Sequence, residues 1–317
     1  MSNLTVSLSP HVRAQSSTRR IMLDVLIALI PAVVFAVYWF GFSVLVTILL
    51  SMAAAIGSEA LMQKALRRPI TVDDGSAAVT GLLLALTMAV GLGQEEGALT
   101  LPAGVPWYVP VLGAAFAIVI AKQVFGGLGD NFVNPALAGR AFLLASFPVA
   151  MTTFPAVADA VSSATPLSSE FAGTVDYAQA FLGRIGGSIG EVSKLALLAG
   201  AAYLLVRRVI DWRVPVSYLG TLAVLNLAFG EPVLDSVLLG GTVLGAFFMA
   251  TDYVTSPVPA WGKVLYGIGI GAINFAIRQW GAYPEGVTYA ILLMNIASPL
   301  LERATRPRKY GEVKRRA

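Results

Sequence analysis

The sequence predicts an all-α integral membrane protein of about ten transmembrane helices, arranged as two inverted five-helix halves with short or broken helices. Three observations carry this. The 317 residues are 56% hydrophobic and only 13% charged, with a mean hydropathy of +0.75, far below the charge content of a soluble domain. Apolar runs of bilayer length recur along the chain. The basic residues gather on one side of the resulting topology.

The first expected span covers about 21–40, after a polar tail with Arg13, Arg19 and Arg20 that lacks the apolar core and small-residue cleavage site of a signal peptide. The second covers about 42–62 and ends at Lys64, Arg67 and Arg68. Asp73-Asp74-Gly75-Ser76 opens a short third span to about 90, with Asp74 or Ser76 suited to accept from free helix amides. The fourth span, about 107–124, feeds a glycine-rich, re-entrant-looking turn, Phe125 to Pro135. A short fifth span of about 136–147 follows, with Pro135 at its first turn. Beyond a long polar loop, further spans are expected near 194–206, 214–228, 233–250, 260–278 and 287–301.

With the N-terminus inside, every Lys and Arg falls on the cytoplasmic side except Arg184, Lys194 and Arg278 outside and Arg140 within a short span. That bias is the one cytoplasmic loops show. The chain thus divides into a cytoplasmic tail (1–20), a first membrane half (21–148), an extracytoplasmic loop (149–193), a second half (194–301) and a basic cytoplasmic tail (302–317). An odd number of spans per half inverts one half relative to the other, a transporter plan that places the site near mid-membrane.

Composition narrows the chemistry. With no cysteine and one histidine, His11 in the tail, the chain cannot itself hold an iron–sulfur cluster, and a protein metal site or histidine-based triad is not expected. The basic residues flank membrane spans, so a lipid bilayer and no nucleic acid is the expected environment. Redox chemistry therefore needs an organic cofactor or a partner's metal.

Ionisable groups in or beside spans mark functional candidates. Glu59, Asp74, Asp235 and Asp252 are candidates for an ion path, whereas Asp24 and Lys122 fit pairing between helices or snorkelling. Asn131, Asn134 and Arg140 are candidates to line a cavity, since broken backbone at membrane depth is tolerated only beside protein or water. The long loop carries Asp159-Ala160-Val161-Ser162-Ser163-Ala164-Thr165-Pro166, a run that also suits an ordinary solvated loop.

These segments together resemble the NqrB/RnfD family. Asp74-Gly75-Ser76 with Val79-Thr80-Gly81-Leu82-Leu83 is similar to the family's third-span signature, and Phe125-Gly126-Gly127 through Asn134-Pro135-Ala136-Leu137-Ala138-Gly139-Arg140 to its next one. Tyr283-Pro284-Glu285-Gly286, Leu292-Leu293-Met294-Asn295 and Thr305-Arg306-Pro307-Arg308 extend the likeness over almost the whole chain. Only about 20 residues precede the first span, where the sodium-pumping quinone reductase relative has a long extension, so the chain looks more like the RnfD component of the Rnf complex.

The resemblance implies a membrane subunit of an ion-translocating oxidoreductase that couples ferredoxin–NAD electron flow to Na⁺ or H⁺ movement. It implies FMN held covalently, as a phosphoester, on Thr165, within a motif of Asp159, Ser162, Ala164 and Thr165; Ser163 stands where a glycine is frequent. No base lies near Thr165 in sequence, so a separate flavin transferase is implied as the catalyst of attachment. A non-covalent riboflavin in the membrane part is implied too, as are a second flavin subunit and iron–sulfur subunits as partners. The alternative from the residues alone is a passive channel or carrier for a small polar solute. A purely structural anchor is a third reading.

Overall fold

The computed structural model describes residues 17–89, 105–152, 154–155, 162–163, 177–183, 187–191, 193–281 and 286–307. Helix α1 (Thr18–Phe40) starts at Ser17, whose side chain accepts from Arg20 N–H, and stops at Gly41, where φ is +82°. Its two faces differ in size rather than polarity. Leu23, Ile27, Ile30, Val34 and Tyr38 form an exposed stripe, while Asp24, Ala28, Ala32 and Ala36 are buried. Large apolar groups outward and small ones inward is the pattern of a helix packed in lipid, where close backbone approach replaces the hydrophobic drive.

Helix α2 (Ser43–Ala65) buries Ser51, Ala55, Glu59 and Gln63 along one face. A left-handed Gly75 (φ +79°) ends a 3₁₀ turn, Val72–Asp74, and opens α3 (Ser76–Leu86). At 11 residues, about 16 Å long, α3 cannot cross a bilayer core of roughly 30 Å alone. It is nonetheless buried at every position but Ala78. Ser51 Oγ donates to the Gly81 carbonyl at 2.8 Å, and a Cβ on Gly81 would stand 2.7 Å from Met52 Cα. The free carbonyls at the end of α3 meet a re-entrant segment, 187–191. Gly190 N–H donates to Leu86 O at 2.7 Å and Ile189 N–H to Met88 O at 2.9 Å, so buried backbone polar groups are satisfied by protein.

Helix α4 (Tyr108–Ile118) runs into a π-helical turn, Val119–Gln123. After it, Gly126, Gly127 and Gly129 take φ of +135°, +110° and +105°, a path that side chains would strain. Helix α5 (Pro135–Ser146) begins with proline at its first position and with Asn134 accepting from two amides. Short α6 (Pro148–Thr152), a two-residue antiparallel pair in which Phe154 faces Ser163 and Pro155 faces Ser162, and α7 (Tyr177–Leu182) follow.

The second half contributes α8 (Lys194–Val206), α9 (Arg213–Phe229), α10 (Val233–Leu238), α11 (Thr242–Leu244), α12 (Ala260–Trp280) and α13 (Val287–Thr305). Gly267 and Gly271, one helical turn apart, let α12 lie on α9: added Cβ atoms would each come within 2.8 Å of α9 carbonyls, Val214 O and Tyr218 O. The buried phenols beside this seam are partnered, Tyr218 by Asn274 at 2.8 Å and Tyr266 by Asn295 at 2.5 Å.

Helix therefore occupies the stretches read as spans, with one correction. The expected span at 233–250 is not continuous. It breaks at 239–241, where Leu239 is extended and Gly240 has φ +68°, and resumes as α11 and a π-helical turn, Gly245–Met249. Two adjacent glycines remove the intrinsic preference that would have carried the helix through. Among the described residues, three helices, α1, α2 and α12, are long and apolar enough to cross a membrane by length and composition.

The α1–α8 seam is the tightest approach between the two halves: a Cβ on Gly200 would fall well inside contact distance of the Ala28 carbonyl. Gly200→Val is expected to lower the melting temperature of the detergent-purified chain by the equivalent of roughly 1–3 kcal/mol. Gly57→Ala, on the same bundle but with nothing within 4 Å of the new methyl, is expected to melt at or above the wild-type temperature.

Candidate functional site

Where the broken elements converge, a partly open cleft lies between the two halves of the chain. Its apolar walls include Val79, Leu83, Leu204, Phe247 and Phe248, and its polar groups include Ser76, Thr80, Lys122, Asn131, Asn134 and Asp252. Asn134 ties the halves together across it. The side-chain oxygen caps α5 through Ala136 and Leu137 N–H at 3.0 and 3.3 Å, and the amide donates to Met249 O at 3.2 Å. Asn295, with its amide oxygen toward α5, accepts Asn134 N–H at 3.0 Å. Asn131 donates to Val133 O at 3.1 Å, while its side-chain oxygen is buried without a partner among the described residues. Asp252 accepts from Val254 N–H and Thr255 Oγ–H; withdrawal from water pushes its carboxyl above the ordinary range, against those two bonds.

One wall of the cleft is an ion pair. Lys122 Nζ lies 2.7 Å from Glu59 Oε1, and each side chain is 1% exposed. Lys122 also donates to Ser76 Oγ at 2.6 Å, and Ser76 Oγ donates onward to Asp74 Oδ1 at 2.6 Å. Gln123 adds a 2.7 Å bond to Glu59 Oε1, and Gln63 a longer one at 3.5 Å. Lys122 and Gln123 both lie in the π-helical turn and both are buried, a kind of irregularity that recurs at functional sites. A second opening, the vestibule, is lined by Gln63, Arg68, Thr71, Asp74, Gln123 and Gly127. Lys122 lines the cleft and Gln123 the vestibule, and Glu59 Oε1 accepts from both.

Of the sequence candidates, Asp74, Asn131, Asn134 and Asp252 line the cleft or vestibule, and Glu59 accepts from one residue of each, Lys122 and Gln123. Arg140 and Asp235 line neither. Arg140 pairs instead with buried Glu191 at 3.3 Å, and Asp235 lies on α10. Asp24, read as a pairing residue, does pair: Arg207 lies 3.1 Å away and Tyr203 OH 2.8 Å. Asp159, Ala164 and Thr165 lie outside the described residues, and for Ser162 and Ser163 the structure gives only the backbone pairing to Pro155 and Phe154. Gln63, Gln123 and Glu191 were not anticipated from the sequence. The signal for the glutamines was present, since each adjoins a lysine inside an otherwise apolar run.

Fold and cleft together define a polytopic helical membrane protein with a polar-edged, apolar-walled cleft at the meeting of discontinuous helices. Comparison with known proteins makes this specific: residues 5–93 and 97–311 match the family described as NQR2, RnfD, RnfE, and the chain belongs to it. It is 48% identical to the D subunit of the Na(+)-translocating ferredoxin:NAD(+) oxidoreductase complex of Acetobacterium woodii, over 98% of this chain and 96% of that one. It is 42% identical to the D subunit of the proton-translocating ferredoxin:NAD(+) oxidoreductase complex of Clostridium ljungdahlii, over 97% and 96%. With the D subunit of the ion-translocating oxidoreductase complex of Escherichia fergusonii the identity is 37%, over 98% and 99%.

A buried charge stripped of its partner is costly, roughly 3–5 kcal/mol, whereas replacing both partners is near neutral. Lys122→Met alone is therefore expected to depress the melting temperature strongly. Glu59→Gln with Lys122→Met is expected to recover most of the loss, as read by thermal melting of the purified chain.

Proposed function

We infer that this chain is the D subunit of an Rnf-type, ion-translocating ferredoxin:NAD oxidoreductase in a bacterial or archaeal cell membrane, with both termini cytoplasmic. The carrying observation is likeness to the D subunits of such complexes over nearly the whole chain. It favours a redox-linked role over a passive channel. The partners are then the remaining Rnf subunits, among them a second flavin subunit and iron–sulfur subunits, which supply the metal centres a chain without cysteine lacks.

Two inverted halves account for the packing. Helix α2 packs on α4 as α9 packs on α12, and the halves meet at α1 against α8 and α5 against α13. The loop between them carries FMN on Thr165 in this reading, attached by a flavin transferase that recognises Asp159, Ser162, Ser163 and Ala164. Ser162 and Ser163 of the motif pair with Pro155 and Phe154, just past the end of α6.

The cleft fits the ring of a non-covalent riboflavin by its chemistry. Apolar walls at Val79, Leu83, Phe247 and Phe248 suit the faces of a fused aromatic ring. The partnerless Asn131 oxygen and the Lys122 ammonium suit its polar edge. Once bound, a flavin supplies one- and two-electron transfer that no side chain here performs. The chain would hold it with Asn131 and Asn134, exclude bulk water with the surrounding helices, and set the local charge with Lys122 and Glu59. For the translocated cation, the candidates are Asp74 in the vestibule, Asp252 in the cleft, Glu59 bound to Lys122, and Asp235 on α10.

The covalent link is tested by in-gel flavin fluorescence from cells that express the transferase. Wild-type protein is expected to fluoresce and Thr165→Ala to lose the signal; a fluorescent Thr165→Ala band would overturn the assignment.

A further inference from the structure

The wall between vestibule and cleft is crossed by a continuous hydrogen-bonded chain. Asp74 lines the vestibule, Ser76 and Lys122 line the cleft, and the Asp74–Ser76 and Ser76–Lys122 links are both 2.6 Å. Two of the three Lys122 N–H groups are engaged, by Glu59 and Ser76. The third is left for an acceptor in the cleft. We propose that Asp74, Ser76 and Lys122 form a relay that carries protons from the vestibule into the cleft, with Glu59 as the residue that positions the lysine.

The arrangement suits a proton rather than a metal cation. Every link from Asp74 to Lys122 is a donor–acceptor pair at short hydrogen-bond distance, and the Lys122 ammonium is held on Glu59 Oε1. The charged and polar groups around Lys122 are Glu59 and Gln63 from α2, Asp74 from the 3₁₀ turn and Gln123 from its own turn, and Asp252 lines the same cleft.

The steps balance without any electron moving within the relay. An N–H bond of Lys122 breaks and its proton passes to a basic acceptor in the cleft, leaving a neutral amine. Asp74, which accepts the Ser76 hydroxyl in the resting arrangement, takes a proton from vestibule water. The Ser76 hydroxyl, turned toward Nζ, then gives its proton to the amine and takes the one on Asp74, which is again an acceptor. One proton enters the cleft per cycle and the three side chains return to their starting state. Lysines held in dry surroundings are a recurrent choice for proton donors and bases. The redox reading enters only through the acceptor, a group that becomes basic when reduced. On the charge pattern, the vestibule opens on the cytoplasmic side.

The test is proton uptake by the whole purified complex, followed with a fluorescent pH dye during a single anaerobic reduction by electrolytically reduced methyl viologen, whose oxidation releases no proton. Ser76→Ala keeps the buried ion pair, so the chain is expected to fold and to keep its covalent-flavin fluorescence. Its proton uptake is expected to slow by about tenfold or more, and Ser76→Thr, which returns a hydroxyl, is expected to restore the rate. Uptake at the wild-type rate in Ser76→Ala would overturn the relay. So would a wild-type complex that reduces fully without taking up protons, and in that case persistent Thr165-dependent fluorescence would leave the flavin assignment standing.

Discussion

A lysine and a glutamate in contact with each other, and almost out of contact with water, shape the rest of this molecule. The desolvation of such a pair costs several kcal/mol per ion, offset only by good geometry and further hydrogen bonds. Here Glu59 Oε1 gathers Lys122, Gln123 and a more distant Gln63, and Lys122 adds Ser76. Each partner comes from a local irregularity or a helix end: a π-helical turn after α4, a 3₁₀ turn ahead of α3, the last turns of α2. Regular helices would have spread these groups over different faces. The irregularities that break the fold's regularity are the ones that assemble its polar centre.

The same logic applies at the cleft. Short helices leave amides and carbonyls at membrane depth, and each must find a partner. Asn134 serves α5 with its oxygen and the end of the 245–249 turn with its nitrogen. The re-entrant segment 187–191 serves the end of α3. What remains is a cleft whose polar atoms are few and fixed, and Asn131 contributes one oxygen with no described partner. An apolar space with a small number of fixed polar groups is the usual form of a small-molecule site.

Much of this is legible in the sequence because the bilayer is a demanding solvent. Apolar length, basic flanks and the Asp74–Ser76 and Asn131–Pro135 signatures place α1 to α5 and their turns, including Pro135 at the start of α5. The break at Leu239–Gly241 is hidden, since a run apolar enough to span does not reveal where its backbone stops being helical. Lys122 fits either pairing between helices or snorkelling from sequence, and it pairs, with a glutamate 63 residues away that local pattern cannot name. Arg140, near the Asn131–Asn134 turn in sequence, reads as a cavity residue, but Glu191, distant in sequence, holds it elsewhere. Long-range pairing of this kind is not encoded in local pattern.

Whether the cleft is a cofactor site or a packing defect is tested most directly by acid denaturation of the purified chain, separation of polypeptide from supernatant, and flavin quantification in each. Flavin in both fractions, with the supernatant share falling at least about tenfold in Asn131→Ala while the polypeptide-bound share stays constant, is the expected result. Flavin confined to the polypeptide, or a supernatant share indifferent to Asn131, would contradict it.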